Sequence, residues 1–476
     1  MPEPSPGLGA VTGSEAPPGR RARVSTYLRA ERVPRVHQAV ALIALTIVAI
    51  SRAPYVLWHG RFYAEEGSIY FPHMRNGNVW FVAKSVGYIY AFLNIATSAA
   101  THVPVERAPL VTAWLSLGLV IGVAWAAIGL PSDLLPNAGA RIAAALLLVV
   151  GPVAVPVVWL NATNAQVYLG VLAVLFLFLD VARLGRGQYV AVALTLALAG
   201  ASGLYAAALA PLFIALALRD RSPRRIALAV IVSACAIAQV VVVQHSHASG
   251  DLAQGRGSFR GFGATTRDVA AWHFGTFLFG NSIATHVFRY AHNLERIALI
   301  GLGAFVIAVL FAALLASVPS RKVAVLLVAA FVVEEVLVLF GTRRGAGGRY
   351  AVVPVAILVL AAVHVAAAAR YKVAAGIATG LCACALVAGL TTFWTAQPRT
   401  LRCVGCPDWS EQVRTWRSGR TTELLIWPYG GKVRWSVHLR RVHAPPGGPG
   451  TGPPRPGGSG ELGAPVHRAR NRGDDA

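Results

Sequence analysis

The sequence predicts an all-α polytopic membrane protein with about eleven transmembrane helices, because its composition and its hydropathy pattern both fit a bilayer. Of its 476 residues, 55% are apolar and 13% are Asp, Glu, Lys or Arg, against roughly 25% charged residues in a soluble domain. The mean hydropathy is +0.57. The apolar residues form runs of about 17–22 residues, which is long enough for a helix to cross a bilayer. These observations exclude a soluble enzyme, a disordered chain and a β-barrel of alternating strands.

Apolar runs separated by polar or basic residues give the individual spans. The predicted spans lie at about 38–55, 109–130, 140–158, 165–182, 188–200, 203–218, 226–244, 297–317, 322–341, 350–369 and 373–394. Only Ala201 and Ser202 separate the fifth run from the sixth, so a single broken helix is an alternative there. The segment 86–102 is moderately apolar and holds Asn94, and we expect helices at the outer interface there. The alternative is an additional span.

The distribution of basic residues predicts the orientation. The loops near 183–186, 219–225, 321–322 and 370–372 are basic, whereas 159–164 and 201–202 contain no Lys or Arg. Because cytoplasmic loops are enriched in Lys and Arg, we expect a cytoplasmic N-terminus, an extracytoplasmic C-terminus and a multi-pass protein of the plasma membrane. The predicted domains are a disordered basic tail (1–36), a transmembrane domain (37–394) with outer loops at 56–107 and 245–296, a small extracytoplasmic cap (395–440) and a disordered Pro/Gly-rich tail (441–476).

The net charge of +23 would favour nucleic acid as the partner of a soluble chain. Here most basic residues lie in short loops between apolar runs, so the predicted partner is the lipid bilayer. We expect no nucleic-acid partner.

An acidic motif follows the first predicted span. Residues 61–70 read RFYAEEGSIY and place Glu65 and Glu66 among aromatic side chains. Apolar surroundings raise the pKa of a carboxyl group and make it a usable base near neutral pH. The alternative interpretation is an ordinary solvated acidic turn.

An acidic motif in the first outer loop, directly after the first transmembrane helix, resembles the GT-C superfamily of integral-membrane glycosyltransferases. The family includes protein mannosyltransferases and lipid A aminoarabinose transferases, and its members use polyprenyl-phosphate-linked sugars. The resemblance implies a GT-C-like fold with interfacial helices in the first outer loop and a catalytic carboxylate at Glu65 or Glu66. The family motif commonly contains Asp, whereas this chain has two Glu, so the choice between them stays open.

A short loop on the predicted outer side is unexpectedly basic. Residues 342–349 read TRRGAGGR and carry Arg343, Arg344 and Arg349. Guanidinium groups match phosphate oxygens, so we expect these arginines, together with Lys84, to bind the donor phosphate. Anchoring to lipid headgroups is the alternative.

The second short outer loop, WLNATNAQ, is uncharged and rich in amides. Trp159 offers a ring for stacking, and Asn161, Asn164 and Gln166 offer hydrogen bonds to sugar hydroxyls. We expect these four residues to bind the sugar or the acceptor. The alternative is a polar turn in which Asn caps the next helix.

Three further groups of residues have more limited interpretations. Cys403 and Cys406 lie on the predicted oxidising side without a thioredoxin-like pattern, so we expect a disulfide between them. Glu334 and Glu335 lie inside a predicted span, where an ion pair to Arg343 or Arg344 is expected and a catalytic or proton-relay role is the alternative. The His residues of 245–296 lack the converging ligands of a zinc site. We expect no protein-bound metal site, and a divalent cation stays open as the one cofactor.

Taken with these features, the resemblance to the GT-C superfamily implies a membrane glycosyltransferase that moves a hexosyl or pentosyl group, with inversion, from a polyprenyl-phosphate donor to an extracytoplasmic acceptor. A cell-envelope glycan, lipid or protein is the expected acceptor. Two alternatives stay open: a transporter or flippase of lipid-linked intermediates, and a non-catalytic envelope-assembly protein. A transporter is expected to show broken helices in repeated halves, and the 188–218 break has no clear counterpart.

Overall fold

The computed structural model of the chain describes residues 33–77, 79–82, 87–248, 269–280, 284, 293–341, 348–395, 408–428 and 435–440. These residues are mostly helical, and those up to Leu439 belong to one compact unit. The helices from the N-terminus to the end of the apolar region are α1 (Arg35–Arg52), α2 (Pro54–Trp58), α3 (Phe71–Gly77), α4 (Ala91–Thr101), α5 (Ala108–Gly129), α6 (Ala138–Val150), α7 (Ala165–Leu177), α8 (Arg186–Gly200), α9 (Leu204–Ala208), α10 (Ala210–Asp220), α11 (Pro223–Ala248), α12 (Asn293–Ser317), α13 (Arg321–Gly341), α14 (Val352–Ala368) and α15 (Lys372–Phe393).

The prediction of a mostly helical, multi-pass membrane protein is confirmed. Within the described residues, six helices are long and apolar enough to cross a membrane: Arg35–Arg52, Val105–Gly129, Pro223–Ala248, Ile300–Ser317, Gly348–Ala368 and Lys372–Phe393. Every predicted span contains at least one helix, and 203–218 contains two, since the chain is interrupted at Leu209. The number of crossings stays a prediction.

The centre of the helical region is formed by α7 and α14. Nearly every residue of both helices is buried, including all those from Val352 to Val365. A helix that is apolar on all sides can pack against other helices around its whole circumference. By contrast, α1, α11 and α15 expose most of their length, as expected for helices that face lipid.

The loops of the helical region meet at two opposite ends. At one end the ammonium group of Lys322 contacts the carboxylates of Asp133 (3.5 Å) and Asp220 (3.8 Å). At the other end the backbone N–H of Ala91 donates to the carbonyl of Ala201 at 2.8 Å. Basic and uncharged loops thus lie at opposite ends, as the sequence predicts, with Lys322 at the predicted cytoplasmic end. The orientation itself stays a prediction.

The first outer loop contains a π-helical turn, Glu66–Tyr70, followed by α3 and α4. The helix α4 has 11 residues, which is about 16 Å of length and short of the roughly 30 Å hydrocarbon core. It buries Phe92, Leu93, Ala96 and Ala100 against the rest of the fold. This geometry favours an interfacial helix over an additional span at 86–102.

A small C-terminal element packs on the first outer loop. It comprises α16 (Trp409–Arg417) and a two-stranded antiparallel sheet of β1 (Glu423–Leu425) and β2 (Ser436–His438), in which Leu424 pairs with Val437. The apolar side chains of this cap and of the loop form one cluster: Phe62, Phe71, Ala100, Val105, Ala108, Trp409, Val413, Trp416, Leu424, Ile426, Val437 and Leu439. The cap therefore lies on the same side of the molecule as the acidic motif.

Candidate functional site

The acidic motif is held in a sharp turn by the cap. Ala64 has a positive φ of 46°, and its N–H donates to the carbonyl of Trp427 at 2.6 Å. A Cβ on Gly67 would lie 2.5 Å from Cβ of Phe62 and 2.8 Å from Cδ1 of Ile426. Only glycine fits at this position, because the loop and the cap approach each other too closely for a side chain.

The two adjacent glutamates occupy different environments. Glu66 is fully buried. Its Oε1 accepts a 2.5 Å hydrogen bond from the hydroxyl of Thr112 on α5, and its Oε2 accepts a 2.9 Å bond from the N–H of Ala162. Burial raises the pKa of Glu66 to about 7, and the hydrogen bonds from Thr112 and Ala162 and the charge of Arg61 limit the rise. Glu66 thus joins the motif to α5 and to the second outer loop.

Arg61 lies buried beside Glu66 and between two aromatic rings. Its guanidinium carbon lies 4.9 Å from the ring centroids of both Tyr63 and Trp427. Its Nη2 donates to the carbonyl of Trp159 at 3.2 Å. Burial lowers the pKa of Arg61 to about 10, which leaves it cationic at neutral pH.

Glu65 is half-buried and faces a different set of groups. Its charge interacts with Tyr63 and with Arg349. Burial raises the pKa of Tyr63, whereas the charges of Arg61 and Arg349 lower it. Glu65, Tyr63 and Arg349 therefore share one electrostatic environment, although Arg349 comes from the loop before α14.

Arg349 lies in the short 3-10 turn Gly348–Ala351. Its Nη1 donates to Oδ1 of Asn164 and its Nη2 donates to the hydroxyl of Tyr350, both at 3.1 Å. The same guanidinium lies 5.1 Å from the ring centroid of Tyr350. These contacts fix the plane of the guanidinium at the predicted outer end of the helices.

The second outer loop brings Asn164 and Gln166 to this group. Asn161 is the N-cap of the turn Ala162–Asn164, and its Oδ1 accepts from the N–H of Asn164 at 3.0 Å. Nε2 of Gln166 donates to the hydroxyl of Tyr88 at 2.9 Å. Asn161 thus caps the local turn, which is the alternative that the sequence offered for it. Asn164 contacts Arg349, and Gln166 contacts the first outer loop through Tyr88.

Trp159 does not fit the predicted stacking role. Its side chain is fully buried, with the guanidinium of Arg52 4.4 Å from its ring centroid and the ring of Phe393 5.6 Å away, edge to face. A ring enclosed in this way presents no face to a sugar. The prediction for Trp159 is corrected to a buried packing position, since the sequence cannot show whether an aromatic side chain faces the core.

Several predicted site residues lie outside the described residues: Lys84, Arg343, Arg344, Cys403 and Cys406. Their roles stay predictions. In the described part of the chain, no three His, Cys, Asp or Glu side chains are grouped closely enough to hold a metal ion. Oε1 of Glu335 lies 2.6 Å from Nδ1 of His273, so this glutamate has a hydrogen-bond partner that was not among the predicted ones.

Tyr88, Thr112 and Tyr350 also contact this group of residues, although the sequence did not predict them as site residues. Thr112 lies in an apolar run, where a hydroxyl commonly bonds its own helix, and nothing in its neighbours marks it as a partner of Glu66. Tyr350 follows Arg349 directly, so an aromatic residue next to an arginine was an available signal.

No protein-family model and no curated protein sequence matches the chain. Among solved structures, the chain is similar to the cryo-EM structure of the arabinofuranosyltransferase AftD from mycobacteria. The match covers 83% of this chain and 29% of that chain, at 15% sequence identity and a TM-score of 0.44. This chain therefore spans less than a third of the length of AftD.

Proposed function

We propose that this chain is a membrane glycosyltransferase that moves a sugar from a polyprenyl-phosphate donor to an acceptor outside the cytoplasm. The observation that supports it is the grouping of a half-buried carboxylate, Glu65, with a fixed guanidinium, Arg349, at the predicted outer end of the helices. A base and a cation beside each other are what a displacement at a glycosyl phosphate requires.

In the proposed reaction, Glu65 accepts the proton of the acceptor hydroxyl as its oxygen attacks the anomeric carbon. The new C–O bond forms on the face opposite the leaving group, and the bond from the anomeric carbon to the phosphate oxygen breaks with its electron pair. The product configuration is inverted, and the leaving group is polyprenyl phosphate. Arg349 stabilises the negative charge that develops on this phosphate. A cation that is already held in place does this best, because it need not reorient during the reaction.

Glu66 has a positioning role in this scheme. Both of its oxygens already accept hydrogen bonds, from Thr112 and from Ala162, and the side chain is fully buried. It therefore has no free path to an acceptor hydroxyl. Glu66 instead fixes the turn that presents Glu65. In this proposal Glu66 positions the loop, and Glu65 accepts the proton.

The sugar is proposed to lie beside Gln166 and Tyr88, whereas Asn164, which is fully buried, orients Arg349. The amide of Gln166 and the hydroxyl of Tyr88 are half-buried and already bonded to each other, so both are oriented before a ligand arrives. Amides and hydroxyls both donate and accept, which suits the hydroxyls of a neutral sugar. This region replaces Trp159 as the proposed contact surface for the sugar.

The test is transfer by the full chain in proteoliposomes. Synthetic polyprenyl-phosphate pentoses and hexoses serve as donors and an octyl glycoside serves as acceptor, and released polyprenyl phosphate and glycosylated product are both quantified. We expect both products from at least one donor, and their loss in Glu65→Gln. The matched control is Glu411→Gln, which changes an exposed glutamate of the cap. Movement of intact donor across the bilayer without cleavage would instead identify a flippase.

A further inference from the structure

Arg52 ends α1 and is buried at the predicted outer end of the helices. It is 6% exposed, and its guanidinium lies between two rings, 4.4 Å from the centroid of Trp159 and 4.6 Å from that of Phe393. Its Nη2 donates to the carbonyl of Ala154 at 2.6 Å. A cation at a helix C-terminus is favourable, but that interaction does not require such burial.

The charge of Arg52 is not balanced within the described residues. No salt bridge of the described residues includes it, and its Nε and Nη1 are buried without a hydrogen-bond partner there. Nε1 of Trp159 and the hydroxyl of Tyr168, which interacts electrostatically with Arg52, are equally without a partner in that part of the chain. All these groups can donate a hydrogen bond. A buried arginine with unused donors and no carboxylate is stable when an anion supplies the acceptors.

We propose that Arg52 binds the phosphate group of a membrane lipid that enters between the outer ends of α1 and α15. Phosphate offers several acceptor oxygens, which suits the two buried guanidinium nitrogens, Nε and Nη1, that have no partner among the described residues. This site is separate from the proposed transfer site around Glu65 and Arg349, and it does not depend on transferase activity.

The surroundings of Arg52 favour a lipid over a soluble anion. The surface of α1 leading to Arg52 is apolar and exposed at Ile43 and Ile47, and α15 exposes Val387 and Leu390. Acyl chains pack on such surfaces, and the phosphate of a lipid lies at the depth of the helix ends. At the exposed rim, Nε1 of Trp394 donates to the hydroxyl of Ser51 at 3.0 Å, so one hydrogen bond joins α1 to the end of α15 above the buried guanidinium.

The test uses the full chain, purified in dodecyl maltoside and stripped of lipid. Three probes are added separately: phosphatidic acid in mixed micelles, diacylglycerol with the same acyl chains, and inorganic phosphate. Native mass spectrometry counts bound lipid, and tryptophan fluorescence follows thermal unfolding. We expect one tightly bound phosphatidic acid and a raised apparent Tm, with no comparable effect of diacylglycerol.

Two variants and a matched control connect binding to Arg52. Arg52→Gln should weaken phosphatidic acid binding by about tenfold or more, because a charge-assisted, two-donor contact is lost. Arg52→Lys keeps the charge between the two rings, so the fold should be retained. Because Lys lacks the planar guanidinium, phosphatidic acid binding should still fall, by a smaller factor than in Arg52→Gln. Arg107→Gln changes an exposed arginine on the same side of the molecule and should leave binding unchanged.

Equal binding of phosphatidic acid to the wild-type chain, Arg52→Gln and Arg52→Lys would overturn the proposal. Protection by inorganic phosphate alone would also overturn it, because the site would then take a soluble anion. If neither phosphate compound binds, the unused donors hold internal water only and the proposal is wrong.

Discussion

The hydroxyl of Thr112 on α5 donates a 2.5 Å hydrogen bond to the buried carboxylate of Glu66 in the first outer loop. The other oxygen of this carboxylate accepts from Ala162, so a single side chain connects three segments that are distant in the sequence. Thr112 also donates to the carbonyl of Pro109 at 3.0 Å, which gives its one proton two acceptors. The protonation state of Glu66 therefore affects all three segments.

Glu66 should make the stability of the protein depend on pH. The pKa of Glu66 in the fold is about 7, above its ordinary value of 4.5, so the folded state holds a proton that the unfolded state releases. This contribution to stability is fully present below pH 4.5 and is lost as the pH rises to 7. It amounts to about 3 kcal/mol. The apparent Tm in lipid nanodiscs at pH 5 and pH 8 measures it.

Glu66→Gln should remove this part of the pH dependence. The Gln amide can accept from Ala162 and donate to Thr112, whose own proton then goes to Pro109, so the local geometry is kept. The difference between the Tm values at pH 5 and pH 8 should shrink in Glu66→Gln and stay as in wild type in Glu411→Gln. An unchanged difference in Glu66→Gln would show that Glu66 is already ionised in the fold at pH 5.

Glu65→Gln should lower turnover by about 10²–10⁴-fold, because Gln keeps the size of the side chain but cannot accept the proton. Donor binding and the apparent Tm should change little, since Glu65 is half-buried. Glu66→Gln should lower turnover less. Initial rates and donor affinity in proteoliposomes separate the two effects. Full transfer by both variants would remove this loop from the proposed chemistry.

Arg349→Ala should weaken donor binding more than Arg349→Lys does. Lys keeps the charge, but it cannot bond Asn164 and Tyr350 in the fixed plane that the guanidinium provides. We expect about a tenfold or larger loss for Ala and an intermediate loss for Lys. Equilibrium binding of a fluorescent polyprenyl-phosphate analogue measures this, with Arg107→Ala as the exposed control. Equal affinities of the three arginine variants and wild type would argue against Arg349 as a phosphate ligand.

Gly67→Ala should destabilise the protein by about 1–3 kcal/mol, because its Cβ would overlap Phe62 and Ile426. Gly118→Ala is the matched control, since its Cβ meets nothing within 4 Å in the middle of α5. Ala is the better helix former, so this control should be neutral or stabilising by up to about 1 kcal/mol. Thermal unfolding of both variants gives the comparison. Equal Tm values would mean that the cap does not hold the motif tightly.

The predicted orientation can be tested by labelling in intact cells. In a cysteine-free background, Ser418→Cys in the cap should react with an impermeant thiol reagent, whereas Ala182→Cys between α7 and α8 should react only after lysis. Both positions are exposed, so access to the reagent depends on the side of the membrane. The opposite pattern would reverse the topology and place the acidic motif in the cytoplasm.

The helices were predictable because a span needs only a sufficiently long apolar run, and the run carries that information locally. The sequence left open which of Glu65 and Glu66 is the base, and the different burial of the two side chains supports the proposed assignment. Arg349, Asn164 and Gln166 were predicted one by one from residue type. Their contacts with each other join segments far apart in the chain, and no local pattern predicts such contacts.

Other features had no signal in the sequence. The partnership of Glu66 with Thr112 depends on how α5 packs, and the burial of Trp159 depends on where Arg52 and Phe393 lie. An aromatic residue followed by amide residues gives the same local sequence whether the aromatic ring binds a sugar or packs in the core. Packing decides between the two, and packing is a property of the whole fold.

The cap covers the acidic motif, although most of the described helices lie between the two in the sequence. The segment around Tyr63 leaves the ribosome early, whereas Trp427, which bridges to it, is made only after all the apolar helices. During synthesis the motif is therefore exposed without its cover until the last span has been inserted. A chain that stops short of the cap would carry both glutamates without the segment that holds their turn, so this loop takes its folded form only after the helix before the cap has been made.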